Sequence, residues 1–275
     1  MKTLKESIFK ESIFSDIEDI VKNDTALIEQ FLKDNYDIHG TYTINNDVID
    51  VKGDVRVKNK HIKSLTNGLF QFGVVSGDFD CCNCINLKTL KGAPEEVGGD
   101  FWCSVCSSLT SLEGAPEKVG GCFYCEECDD LKSLEGAPEK VGASFYCSGC
   151  PELTSLKGAP EEVGESFYCY ECPELKSLEG APKETGSNFD CHDCYLLKSL
   201  EGAPKKVGKA FYCYSCHKLK SLEGAPEKVG GIFDCSFCYN LKSLKGAPKE
   251  VGGKFDYSGC KNLWLTDEDR EKYGV

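Results

Sequence analysis

The sequence has little that would bring it to a phosphate backbone or into a bilayer. Its 32 lysines and arginines face 45 acidic residues, a formal charge of -13, and no basic cluster interrupts that deficit. Phosphate is held by neutralising it, so nucleic acid is not an expected ligand. No apolar run is long enough for a signal-peptide core or a membrane span, so no membrane partner and a cytoplasmic setting are expected. Histidine is scarce: His39, His61, His192 and His217 are the four, they fall in unrelated phases, and each reads as a surface residue. No nucleophile-base pair, phosphate loop or carboxylate dyad stands out from ordinary solvated charge, so neither an enzyme nor a cofactor is expected. Cysteine is absent before Cys81, yet all 19 lie at or after that position. That count is odd and no export signal precedes it, which argues against a disulfide framework.

What is present is a repeat. Leu87, Leu109, Leu131, Leu153, Leu175, Leu197, Leu219, Leu241 and Leu263 recur every 22 residues, and so do nine phenylalanines from Phe79 to Phe255. A period of this length means a stack in which each short unit buries its apolar side only against its neighbours. In the unit Phe123-Tyr124-Cys125, strand alternation turns Phe123 and Cys125 inward and Tyr124 outward. Cys128, Leu131 and Leu134 then follow at three-residue spacing, which suits a chain turning a corner. Gly136-Ala137-Pro138 breaks the run, with Pro138 able to start a tight helical turn; Val141 returns to the core, and Gly142 leads to the next strand.

Residues 1–39 read as an N-terminal helical cap or docking segment. A KESIF duplication comes first, Ser15 and Glu18 fit a capping box, and apolar residues recur at helical spacing at Ile17, Ile20 and Val21, then Leu27, Ile28, Phe31 and Leu32. Residues 40–65 read as a β-hairpin turning at Asn45-Asn46-Asp47, followed by a first rung at Val55-Arg56-Val57. The solenoid proper is expected over 66–265. A polar C-terminal cap over 266–275 should start at Thr266 as the N-cap of a closing segment.

The repeat F-x-C-x-x-C-x-x-L-x-S-L-x-G-A-P-x-x-V-G resembles a cysteine-containing leucine-rich repeat. It is similar above all to leucine-rich-repeat-like proteins of bacteriophages and gut bacteria, which repeat L-x-S-L-E-G-A-P-x-x-V-G-G-x-F-x-C. The resemblance covers roughly residues 50 to 265, with Thr185 in place of Val and Tyr257 in place of the first Cys of the last repeat. It implies a mainly β repeat solenoid with a single parallel sheet of about ten rungs and short turns on the convex side. It also implies a role in binding, in a host cytoplasm or with a virion if the gene is a phage's. No catalytic residue is transferred by it.

Two functional readings follow. In the first, the protein is a non-enzymatic recognition scaffold and a monomer. Its site is the exposed, concave column after each Phe, together with the column two residues further on: Trp102, Tyr124, Tyr146, Tyr168, Tyr170, Asp190, Tyr212, Tyr214, Asp234 and Asp256. Tyr and Trp commonly anchor interfaces, so a protein partner is expected, with a glycan as the alternative. In the second reading the CxxC pairs hold zinc. Cys103 and Cys106 with Cys125 and Cys128 fall inside zinc-ribbon spacing. Against zinc, the cysteines keep phase with the Phe and Leu columns, where a free thiol acts as a small buried hydrophobe.

Overall fold

The computed structural model describes residues 24–273. They form a parallel β-solenoid of about ten turns built on one sheet, in which only the first strand runs against its neighbour. A helix, α1, covers residues 24–35. Strands β1 (Tyr36–Asn45) and β2 (Val48–Val57) then pair antiparallel around Asn46 and Asp47, whose φ values of 48° and 62° are those of a two-residue hairpin turn. The hairpin starts at Tyr36, earlier than the expected Gly40. Gly40 sits opposite Gly53 inside the pair, where a Cβ would come 2.0 Å from the Lys52 carbonyl oxygen. That close approach is what requires glycine there.

The far half of β2 is the first rung, as expected. Val55 and Arg56 pair in parallel with Phe79 and Asp80, while β3 (Gln71–Val75) pairs with the near half of β2 through a register shift between Ile49 and Val51. From there each turn contributes two strands of two residues, such as Lys140–Val141 and Phe145–Tyr146. Phe145 pairs with Phe123 and Phe167, and Val141 with Val119 and Val163, so each strand meets the same residue one turn away. Between the two strands Gly142 has no room for a side chain, since a Cβ would lie 2.0 Å from the Gly120 carbonyl oxygen of the turn below. No helical turn follows Pro138. Instead Ala137 donates to the Leu134 carbonyl at 3.0 Å, and the tight turn lies before the proline.

The strands are short because the backbone reverses its hand four residues after each Phe. Asn83, Val105, Glu127, Gly149, Glu171, Asp193, Ser215, Phe237 and Gly259 all hold positive φ, from 53° to 71°. Inside, the Phe rings stack from Phe79 to Phe233, and Phe255 tilts away at the open end; Phe101 and Phe123 are 5.0 Å apart and Phe189 and Phe211 are 5.4 Å apart. With the two Cys and two Leu columns they are sealed from solvent in every inner turn. At about 1.5–3 kcal/mol for each buried large side chain, this repeated core offsets the ordering entropy only because turns stack on turns.

The cysteines are free, and sixteen of them are buried. From Cys106 on, the second thiol of each pair donates back to the preceding turn: Cys128 Sγ to the Cys103 carbonyl at 3.4 Å, and Cys150 Sγ to the Cys125 carbonyl at 3.3 Å. Burial raises most of these thiols, pushing Cys172 up to about 12 and Cys103 and Cys125 well above the ordinary thiol range; Cys106 is lowered instead, by its hydrogen bond with Cys81.

The two ends differ. At the N-terminal end Ile28 and Leu32 of α1 are buried, and a chain of aromatic edges leads from Phe31 through Phe70 and Phe72 to Phe79. Leu27, expected on the same apolar face, is 57% exposed. The KESIF duplication, the Ser15 and Glu18 pair and the first apolar stripe lie outside the described residues. At the other end Thr266 caps α2 (Asp267–Tyr273): its Oγ1 accepts from the Asp269 N–H at 3.1 Å, and its own N–H donates to Asp269 Oδ2 at 2.9 Å. Here the carboxylate completes the capping box. Yet α2 does not seal the stack, because Phe255, Tyr257, Cys260 and Leu263 keep partial exposure and Trp264 is 82% exposed. No described helix is long and apolar enough to cross a membrane.

Candidate functional site: the aromatic face

Strand alternation sets up the outer face. From Phe79 to Phe233 each Phe is buried, the next residue half-buried and outward, and the following Cys buried again; the last turn, with Phe255 and Tyr257 half-buried, keeps the same alternation, so all ten residues proposed for the face from the sequence stand on one side of the Phe strands. Parallel in-register pairing then places Trp102, Tyr124, Tyr146 and Tyr168 directly over one another. Their rings stack at 3.7, 4.5 and 4.7 Å, with planes within 15°. Asp190 interrupts the column one turn further on.

The ladder does not stop there; it moves sideways. Tyr168 meets Tyr170 edge to face at 6.3 Å, and a second stack runs Tyr170, His192, Tyr214 at 4.6 and 4.3 Å. Tyr212 touches Tyr214 edge to face at 6.4 Å. A third stack of Tyr195, His217 and Tyr239 lies further round the turn, with the Lys261 ammonium 5.0 Å above the Tyr239 ring. Asp234 and Asp256 continue the first column as carboxylates. They do not join the stack.

His192 and His217 therefore correct the reading of histidine as scattered surface residues. His192 lies 22 residues from both Tyr170 and Tyr214, in the second outward column of the repeat, so its phase is that of the aromatic stack. Its side chain is only 12% exposed. Nδ1 lies 2.7 Å from Asp190 Oδ1 and Nε2 3.8 Å from Asp193 Oδ2. Burial opposes protonation of His192, but the hydrogen bond and charge of Asp190, with Asp193 and Glu171 nearby, outweigh it and raise its pKa. The phenols keep their protons: burial and the Asp190 charge push Tyr214 up to about 12, and burial raises Tyr146 and Tyr170. Neutral phenols offer donors along a face that is otherwise acidic.

The proposed zinc set does not converge. Cys128 Sγ is turned toward the Cys103 carbonyl and Cys106 Sγ toward the Cys81 carbonyl at 3.2 Å. Among the described residues the ligand atoms that gather within 4.8 Å of one another belong instead to Glu171, His192 and Asp193. The opposite side of each turn is more uniform. A shallow groove there passes over Val119, Val141 and Val163, bordered by exposed cross-turn ion pairs such as Lys140 with Glu162 at 2.8 Å. Exposed pairs of this kind contribute little to stability in water. Compared with known protein families, curated proteins and solved structures, the chain matches none. The likeness to leucine-rich repeats accordingly rests on the repeat residues alone.

Proposed function

We propose that the chain is a non-enzymatic recognition scaffold that docks a protein partner on the stepped aromatic face. The observation that carries this reading is the contrast between columns: the inward Phe, Cys and Leu positions barely change, whereas the outward ones run through Trp, Tyr, His and Asp. Stacking alone is worth about 0.5–1.5 kcal/mol per ring pair, so the aromatics also serve the fold. Stability alone gives no reason for the stack to step from one column to the next or to end in carboxylates.

The stacking distances favour a protein over a glycan. A sugar docks by laying its C–H face on an open ring, and rings 3.7 to 4.7 Å apart leave no face free except at the ends of the stack. What the column offers is ring edges and hydroxyl groups, which suit side chains and backbone carbonyls of a protein surface. The neighbouring carboxylates favour a basic patch on that partner.

The test is a crosslinking capture with the intact protein and with the Trp102→Ala, Tyr146→Ala double variant. A partner retained by the native face should lose at least ~2 kcal/mol of affinity in the variant, which should keep its native circular dichroism spectrum at the assay temperature although three ring contacts are lost and its melt falls. Equal affinity would move the docking surface to the uniform groove or the N-terminal helix. A glycan array that lights up with the native protein would favour the sugar.

A further inference from the structure

The second aromatic stack surrounds a set of polar atoms that docking a protein on the first stack does not use. Glu171 and Asp193 hold the same position in successive turns, and His192 comes one residue before Asp193, so one step of the solenoid brings two carboxylates to one imidazole. Their ligand atoms lie within 4.8 Å of each other. Nowhere else in this column are two carboxylates adjacent: Gly149 precedes Glu171 and Ser215 follows Asp193.

Three features prepare the imidazole as a ligand. Tyr170 and Tyr214 clamp its ring from both sides, with planes 10° and 12° from parallel. Asp190, outside the trio, accepts from Nδ1 at 2.7 Å and from the His192 backbone N–H at 3.1 Å, which fixes the ring's rotation and leaves Nε2 as the free nitrogen. Nε2 points toward Asp193, 3.8 Å from its carboxylate oxygen. A carboxylate behind the far nitrogen of a metal-binding histidine is the usual way such a ring is oriented and made more basic. None of the ion pairs made by lysine or arginine among the described residues involves Glu171, Asp190 or Asp193. One imidazole thus faces three carboxylates.

We propose that Glu171, His192 and Asp193 form a binding site for a divalent transition-metal cation of the zinc class, with Asp190 as positioning residue and at least one coordination position open to water. One imidazole nitrogen with two carboxylate oxygens suits zinc, cobalt or nickel better than calcium or magnesium, which take oxygen ligands alone. Bonds of about 2.0–2.2 Å require the ligand atoms to draw together from their present spacing. Glu171 is exposed and free to make that movement, while the clamped histidine stays in place. The site is separate from the thiol columns, whose sulfurs are buried in the core.

Cobalt(II) serves as the probe on the full chain, because its visible spectrum reports its ligands; zinc is then titrated by calorimetry. The expected result is one equivalent per chain, a d–d spectrum without a thiolate charge-transfer band, and displacement of cobalt by zinc. His192→Phe keeps a ring in the stack and removes the nitrogen; it should abolish binding, with melting and free-thiol count unchanged. Asp190→Asn should weaken it about 10- to 100-fold. No binding at millimolar cobalt, binding undiminished in His192→Phe, or a thiolate band would each overturn the proposal. If His192→Phe melts early, Glu171→Gln, an exposed change that leaves the stack intact, decides the matter through the same loss of affinity.

Discussion

At residue scale, the most informative positions are those where the side chain and the backbone disagree. Val105 and Phe237 sit at φ 59° and 57°, a region that a branched or bulky side chain enters at a cost of about 1–2 kcal/mol. Gly149 and Gly259 fill the same place in other turns without that strain. Val105→Gly should therefore raise stability by roughly 0.5–1 kcal/mol in denaturant unfolding, the strain relief exceeding the entropy returned to the unfolded chain. Gly142→Ala should do the reverse and cost more than ~3 kcal/mol, because its Cβ would meet a carbonyl of the turn below. A neutral Gly142→Ala would mean that the turns are spaced more widely than described. The columns of Phe, Cys and Leu were legible because a fixed period shows which positions repeat. The reversal of backbone hand was not, because nothing in Val105 or Phe237 announces a left-handed residue. The column that holds His192 between Tyr170 and Tyr214 was legible from the period, whereas the burial of its ring and the convergence of Asp190 and Asp193 on it were not, because spacing along the chain does not show which side chains turn toward one another.

At the scale of elements, the hairpin and the two helices decide how an open stack ends. The Asn46-Asp47 turn was legible from its chemistry, and so was Thr266 as a cap; the length of β1 was not, because Gly40 could pair with Gly53 only once the register was known. Deleting residues 1–50 removes α1, β1 and the first three residues of β2, uncovering Phe70 and Phe72, which pack against Phe31 and Tyr36. Light scattering should show association, as expected for a bared sheet edge and apolar end. A truncated chain that stays monomeric and melts with the parent would count against a capping role. Thr266→Ala should cost about 1 kcal/mol at the other end, visible as fraying of α2 before the main transition.

At the scale of the whole molecule the thiols act together. Cys84 and Cys172 are pushed up to about 12, and most of the other buried thiols lie well above their ordinary range, so the native state keeps protons that an unfolded chain releases from about pH 8.5. The native thiol pKa is the raised one, so stability is complete below the unfolded value and is lost as pH climbs toward the folded one. The slope is roughly 1.4 kcal/mol per thiol per pH unit. Summed over the buried columns this should unfold the protein between about pH 9 and 11, followed by circular dichroism in the presence of a reductant. Equal denaturation midpoints at pH 7 and pH 10 would show that the thiols are not held in a dry core. At neutral pH a bulky maleimide should reach the half-buried Cys82, Cys122 and Cys260 and leave the rest until denaturant is added.

The constant pairing of each Phe with the Phe one turn on makes the molecule a ruler. Position along it is counted in whole turns of about 4.8 Å, the distance between neighbouring strands. The paired strands from Phe101 through Phe123, Phe145 and Phe167 to Phe189 place His192 four steps from Trp102, roughly 19 Å along the axis. Removing residues 123–144 would take out one graduation and bring the two ends of that interval nearer by one step, with every internal joint remade between like residues. Spacing between surface features can thus be inherited, lengthened or shortened in whole increments, without redesign of the interior that sets it.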